Sequence, residues 1–374
     1  MSQLEAWEMV YVTNDFLNTS HGKIECNSCH QGDPTAFDKE NAHKDIIALA
    51  SDNADVFCGG CHGDIVDNYA HSLHFTQEGY FKRIENRSGV NIKNDAVKLD
   101  HFNDECGKCH ASCGQCHISR PVSVNGGFIK GHNFIKTPER DNNCIACHGS
   151  RVGAEYMGDN ANYVPDLHRY KAPAGKCSFC HFADEMHSSG LDFDYRYLDT
   201  DMPRCENEDC HTNVENLEEV NEYHKWHWAE KYMTGIKLAC QVCHSQEYKN
   251  CDGCHTGGKG ITGSSYMAFK IAKNKFNLES AARDYDYVTV RHIPIAPDTY
   301  DSWNLALPNY NVEPTWKYTT PHNIKRWTVR TGTAGTDGSC NANCHKLTEY
   351  YLIKDDLLPY EIDANKDIIM DDEL

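Results

Sequence analysis

Cys106-Gly107-Lys108-Cys109-His110-Ala111-Ser112-Cys113-Gly114-Gln115-Cys116-His117 holds two copies of one pattern, Cys-x-x-Cys-His, with only Ala111 and Ser112 between them. The spacing has a chemical meaning. Two thiols about one turn apart can add to the two vinyl groups on one edge of a porphyrin, and the histidine that follows directly is delivered beneath the ring as an iron ligand. A zinc knuckle or a thioredoxin-like redox pair also uses Cys-x-x-Cys, but neither requires histidine after every second cysteine. Disulfides would leave the histidines unexplained. From Cys109 to Cys113 the chain reaches at most ~14 Å at about 3.3–3.6 Å per residue, so two macrocycles attached here must be near neighbours.

The pattern continues in both directions. Its eight standard copies pair Cys26 with Cys29, Cys58 with Cys61, Cys106 with Cys109, Cys113 with Cys116, Cys144 with Cys147, Cys177 with Cys180, Cys240 with Cys243, and Cys251 with Cys254. Two stretched copies obey the same logic: Cys205 and Cys210 have four residues between them, and Cys340 and Cys344 have three. Together these ten motifs use all 20 cysteines. The proximal iron ligands are then His30, His62, His110, His117, His148, His181, His211, His244, His255 and His345. Repetition at intervals often close to thirty residues is enough chain to wrap one haem and reach the next.

Of the 22 histidines, twelve remain: His21, His43, His71, His74, His101, His132, His168, His187, His224, His227, His292 and His322. Ten six-coordinate haems would draw ten distal ligands from this pool, leaving two spare. Iron with two histidines exchanges electrons but has no open position for a substrate, and bis-His ligation favours a lower potential than His/Met. Eight Met are present, but with this many histidines no haem is forced to use one. No motif ends in lysine, as the catalytic haem of pentahaem nitrite reductases does.

Composition agrees with a cofactor-built interior. Only 40% of the residues are hydrophobic, so the chain is poorly supplied for a large aliphatic core of its own. The expected fold is mostly irregular and loop-rich, with short helices, minimal β-structure and a core of stacked haems. A formal charge of −19, made more negative by haem propionates, disfavours nucleic acid and anionic membrane surfaces as partners. Asp192, Asp194, Asp199 and Asp201 could bind Ca²⁺, although without EF-hand spacing a solvated loop is the simpler explanation. No stretch is apolar for the roughly 18 residues a membrane span needs. The first residues, Met1-Ser2-Gln3-Leu4-Glu5, show no basic region leading into an apolar run. Because haem c is attached outside the cytoplasmic membrane, a leader is expected to have been removed or to lie outside this numbering, and the protein to be exported, extracellular or at the cell surface, with the periplasm as the alternative.

Along the chain, residues 1–256 form a nine-haem array, and 257–374 a proline-rich arm carrying the tenth, the two packing as one continuous unit. Ser264 to Ala282, with Met267, Phe269, Ile271 and Phe276, reads as a short helix, and Tyr287-Val288-Thr289-Val290 as a strand. Pro294, Pro297, Pro308, Pro314 and Pro321 interrupt regular structure beyond this strand, so His292 and His322 are expected to reach back to earlier haems. The tail Asp371-Asp372-Glu373-Leu374 reads as solvated. Asn18-Thr19-Ser20 and Asn86-Arg87-Ser88 match the glycosylation tripeptide, a pattern common by chance. Tyr223, Trp226, Trp228 and Tyr232 around His224 and His227 read as packing for porphyrin faces.

With segments such as Cys113-Gly-Gln-Cys-His-Ile-Ser-Arg-Pro and Cys144-Ile-Ala-Cys-His-Gly-Ser-Arg-Val-Gly, the sequence resembles the multihaem c-type cytochromes of anaerobic respiration, over residues 26–345. The resemblance implies electron transfer without catalysis, through ten haem c groups. The nearest kind is the subunit of extracellular cytochrome filaments, loop-rich, bis-His, and sometimes sharing a histidine between subunits. Its partners would be other copies of itself, head to tail, and redox proteins or extracellular electron acceptors; His21 or His322 would ligate across that interface. Alternatives are a soluble periplasmic shuttle and a multihaem reductase of nitrogen or sulfur oxyanions. Decahaem cytochromes of outer-membrane conduits and the hydroxylamine oxidoreductase and octahaem tetrathionate reductase relatives fit less well, lacking here the room for β-barrel-like domains and a long helical C-terminal region respectively.

Overall fold

A chain so rich in turn-forming residues builds short elements. In the computed structural model, residues 4–109, 111–159, 163–171, 175–207, 210–211, 224–227, 235–250, 267–275, 283–332 and 343–372 are described. Among them the longest helices are Gly59–Tyr69 and Glu78–Ser88, 11 residues each. No described helix is long and apolar enough to cross a membrane.

The motifs themselves make single helical turns: Cys26–His30, Cys113–His117 and Cys240–His244. One turn puts positions i and i+3 on one face, so the two thiols of each motif share a side. Where regular helix fails, the closure persists. The His62 N–H donates to the Cys58 carbonyl at 2.9 Å and the His181 N–H to the Cys177 carbonyl at 3.0 Å. The stretched motif closes alike: the His211 N–H reaches the Cys205 carbonyl at 3.1 Å, so its ends stay in register.

The chain divides into two compact units that interleave in sequence. One comprises 1–78, 102–150 and 176–193; the other comprises 79–101, 151–175 and 194–374. This division departs from the expected boundary at residue 256. The first unit contains the sequences of motifs one to six, the second those of motifs seven to ten.

Conventional packing is concentrated in the second unit. Strand β1 (Tyr248–Lys249) pairs antiparallel with β2 (Met267–Ala268). Strands β3 (Lys270–Lys273), β4 (Tyr287–His292) and β5 (Trp316–Tyr318) form an antiparallel sheet with β4 in the middle. Residues 288–292 are buried without alternation, as expected of a β-branched strand covered on both faces. Ile271, Val288, Val290, Trp316, Leu352 and Ile368 pack as one cluster around this sheet. The helix expected over 264–282 is overturned where the chain is described: Met267, Phe269 and Ile271 recur every second residue, and that period serves β2 and β3. Phe276 lies outside the described residues. The strand expected at 287–290 extends to His292.

The proline-rich stretch is not an extended arm. Ile295, Ala296, Trp303, Leu305 and Leu307 are all buried. The tail is anchored just before its charged end, with Ile368 and Met370 buried and the Asp371 carboxylate accepting from the Lys354 N–H at 2.9 Å.

Candidate functional site

Each described motif sets a histidine at the end of a turn, and in seven cases a second histidine ring faces it. In the first unit, His30 faces His132, His62 faces His21, His117 faces His187 and His148 faces His74. In the second, His211 faces His168, His244 faces His224 and His345 faces His227. Every pair joins one motif histidine to one member of the remaining pool.

The separations carry the argument. Ring centroids in the seven pairs lie between 5.7 and 6.2 Å apart. Direct ring contact can be closer, as where His21 stacks on Phe134 at 3.9 Å and an interplanar angle of 6°. A metal bonded to two imidazole nitrogens at about 2 Å each holds those nitrogens about 4 Å apart and the ring centres about 6 Å apart. For His224 and His244 the two Nε2 atoms stand 3.5 Å apart.

Protonation favours ligation at most of these rings, although Asp166 raises His168, and at His181 burial lowers the value but Glu185 outweighs it. Burial pushes His74 down to about 4, with His148 and His181 adding to the effect. His21, His132, His187, His211, His224 and His227 are lowered as well, burial being the largest cause in each. A neutral imidazole keeps the lone pair that a metal needs.

The surface beside the motifs is unusually bare. Large apolar side chains next to the motifs stand open: Ile24, Val56, Phe75, Phe179, Phe182 and Leu347. Uncovered apolar surface of this kind marks a binding site, and a porphyrin face beside each motif would cover it. The residues therefore fit haem c on four observations: paired thiols on one turn, a histidine beneath, a second histidine at two metal–nitrogen bond lengths, and open apolar walls.

Motifs also touch one another. Cys109 and Cys147 lie within hydrogen-bonding reach, as do Cys144 and Cys177 in the same unit, and Cys205 and Cys240 in the other. Among the described residues, Cys205, Glu206 and Cys240 form a group of three potential metal ligands within 4.8 Å. Those cysteines belong to different motifs, and a structural zinc site would need a fourth ligand. The group is a contact between neighbouring attachment sites.

Outside the seven pairs the pool behaves unevenly. His71 meets Asp192 through Nδ1 at 2.8 Å, and His322 meets the Thr320 carbonyl through Nδ1 at 2.8 Å. His43 caps the turn Lys39–Ala42, and His101 stacks on Trp303 at 6.2 Å. His292 is placed against ligation: it sits buried on β4, stacked on Trp316 at 4.8 Å, with Nε2 on the Glu361 carboxylate at 2.5 Å. This placement suits one of the two histidines that the count leaves without an iron. His110, the whole Cys251–His255 motif, Cys340 and the aromatic residues 223, 228 and 232 lie outside the described residues.

Three further expectations meet the structure. His21 faces His62 of its own chain. Asp192, Asp194, Asp199 and Asp201 do not converge: Asp192 pairs with His71, Asp194 approaches Lys82 at 3.9 Å, and Asp199 accepts from the Asp201 N–H. In the Asn86-Arg87-Ser88 tripeptide, the Asn86 amide donates to Tyr195 and Glu313.

Sequence reasoning missed the groups that hold the imidazoles. Nδ1 of His30 meets the Ile47 carbonyl at 2.6 Å and Nδ1 of His117 the Ile135 carbonyl at 2.7 Å. His181 is instead held by Glu185 and His168 by Asp166, each at 2.8 Å. Glu185 comes four residues after His181 on a helical turn, a spacing that could have been read. Arg330 was not readable: it donates to the Val242 and Ser245 carbonyls and pins the Cys240–His244 turn against Phe269. Compared with models of protein families, with curated proteins and with solved structures, the chain matches none.

Proposed function

We propose that this chain is a multihaem c-type cytochrome that moves electrons and performs no catalysis, with ten covalently attached haems and two histidines on each iron. The observation that carries the reading is the set of seven histidine pairs, each uniting a motif histidine with a distant one at about 6 Å. Bound there, haem c supplies one-electron iron chemistry and an apolar plane that fills the open walls. The chain's own residues do the rest. Paired thiols tether each site, His–His clamps close both axial positions against substrate, and Nδ1 partners fix the ring orientations.

Contacts between Cys109 and Cys147, between Cys144 and Cys177, and between Cys205 and Cys240 bring the sites of different motifs close enough for electrons to pass between them. In its finer form the proposal is an exported, extracellular filament subunit, head to tail. With His21 used within its own chain, His322, whose Nδ1 is anchored on Thr320, is the member of the two candidates left to reach a neighbour.

Intact mass of the holoprotein tests the core reading: ten haem additions are expected. A mass short by three or more would sink it, since the two stretched motifs alone could not account for the deficit. Light scattering tests the finer form. Growth into long particles that His322→Ala abolishes, with ten haems still attached, is expected; a monodisperse monomer at every concentration leaves a soluble shuttle instead.

A further inference from the structure

The imidazoles differ in what they rest on. His30, His117 and His244 present Nδ1 to backbone carbonyls, and the buried Nδ1 atoms of His132, His224 and His227 meet no hydrogen-bond partner among the described residues. His181 and His168 meet buried carboxylates: the side chains of Glu185 and Asp166 are 5% and 4% exposed. Both Glu185 oxygens lie near His181 Nδ1, at 2.8 and 3.0 Å. Asp166 is fixed as firmly, accepting also from the backbone N–H groups of His168 and Ile324 at 2.8 Å. Asp192, which meets His71, is 79% exposed, so water weakens its influence.

We propose that Glu185 and Asp166 are potential-setting residues, which make the iron sites of the Cys177/Cys180 and Cys205/Cys210 motifs the hardest to reduce among the described sites. The inference rests on the proposed haem attachment and goes beyond it by ranking the sites. A carbonyl oxygen accepts the Nδ1 proton as a dipole; a buried carboxylate accepts it as a full negative charge, in surroundings where charge is poorly screened. The imidazole becomes the more basic ligand. Reduction adds one electron and removes one positive charge from the iron, so a nearby anion favours the oxidised form. His181 closes the sixth motif and His168 faces the histidine of the seventh. The two low-potential sites are consecutive in sequence, the last of one compact unit and the first of the other. Electrons supplied to the protein fill the remaining described sites first.

The test is a potentiometric titration of the purified holoprotein with dithionite as reductant, monitored in the haem absorption bands and by EPR. Glu185→Gln and Asp166→Asn keep shape and an acceptor oxygen but remove the charge. Each should shift one of the two lowest components upward by about tenfold in its reduction constant, equivalent to 59 mV for one electron, and the double variant should shift both. Asp192→Asn should leave these components in place. If ten haems remain by mass and the lowest components do not move, the inference fails while haem attachment stands. Should Glu185→Gln lose its haem, the component missing from its titration must be one of the two lowest, and loss of a higher one overturns the proposal. Fewer than eight haems in the unaltered protein would instead be the failure of the underlying reading.

Discussion

The two compact units solve the same problem in opposite ways. The first packs six motifs into three short stretches of chain, yet contributes only Phe16, Tyr69 and Phe102 to the 27 buried hydrophobic residues described. It leaves 17 large hydrophobics exposed, among them Phe37, Val56 and Phe182. The second spreads four motifs over more chain and buries the other 24, of which 16 form one cluster around its three-stranded sheet. Where motifs are dense, the polypeptide has neither the length nor the regular structure to cover its own apolar groups, and under the proposed function haem would supply the core. Where they are sparse, the chain builds a core of the ordinary kind and hangs its sites on the outside.

Withholding the cofactor should break this contrast open and gives the largest effect. In protein made without haem attachment, the first unit should lose its structure, because apolar surface left in water contributes nothing to stability. Amides of β3, β4 and β5 should keep measurable protection from hydrogen exchange, while amides of residues 59–69 and 113–117 should exchange at unprotected rates. Equal protection in both units would refute the comparison.

A pair of substitutions sharpens it. His74→Ala removes the ring facing His148 and should convert one haem in ten to a high-spin signal in resonance Raman, with little loss of overall stability. His292→Ala should leave every haem low-spin. It deprives the buried Glu361 carboxylate of a partner and should cost the second unit roughly 3 kcal/mol in denaturant unfolding. High-spin haem in the His292 variant would return that residue to the ligand pool.

Acid should act selectively, with a smaller effect. Glu313 in the second unit is held well below the usual carboxylate range: burial pushes it up, but Lys317, Arg83 and Arg87 outweigh that. A carboxyl whose folded pKa lies below its unfolded one stabilises above the ordinary value, and this contribution fades as pH falls toward the depressed folded value. Stability of the second unit should therefore drop below about pH 4.5, with the drop diminished in Glu313→Gln. An unchanged acid profile in that variant would show that the cluster around Arg83 does not set it.

Much of the candidate site was legible because its covalent half is local. Two cysteines on one turn and a histidine directly after them are specified within five residues, so number and position of attachment sites are set by the chain alone, even in the stretched motif that closes through the His211 N–H and the Cys205 carbonyl. The count of remaining histidines also pointed to a second ligand for each iron. Its identity was not legible, because a distal ligand needs only to arrive. His132 comes to His30 from far along the chain, and His21 lies before the motif it serves. His292, which the sequence could not distinguish from these, is drawn into the sheet by its place on β4. The misread helix at 264–282 has a related cause: an apolar residue at every second position becomes a strand when β4 is there to pair with it. Local chemistry thus determined which residues can be tethered to a cofactor. Tertiary packing alone decided which rings face each other and which carboxylates stand behind them, since those contacts join segments whose separation in sequence carries no signal.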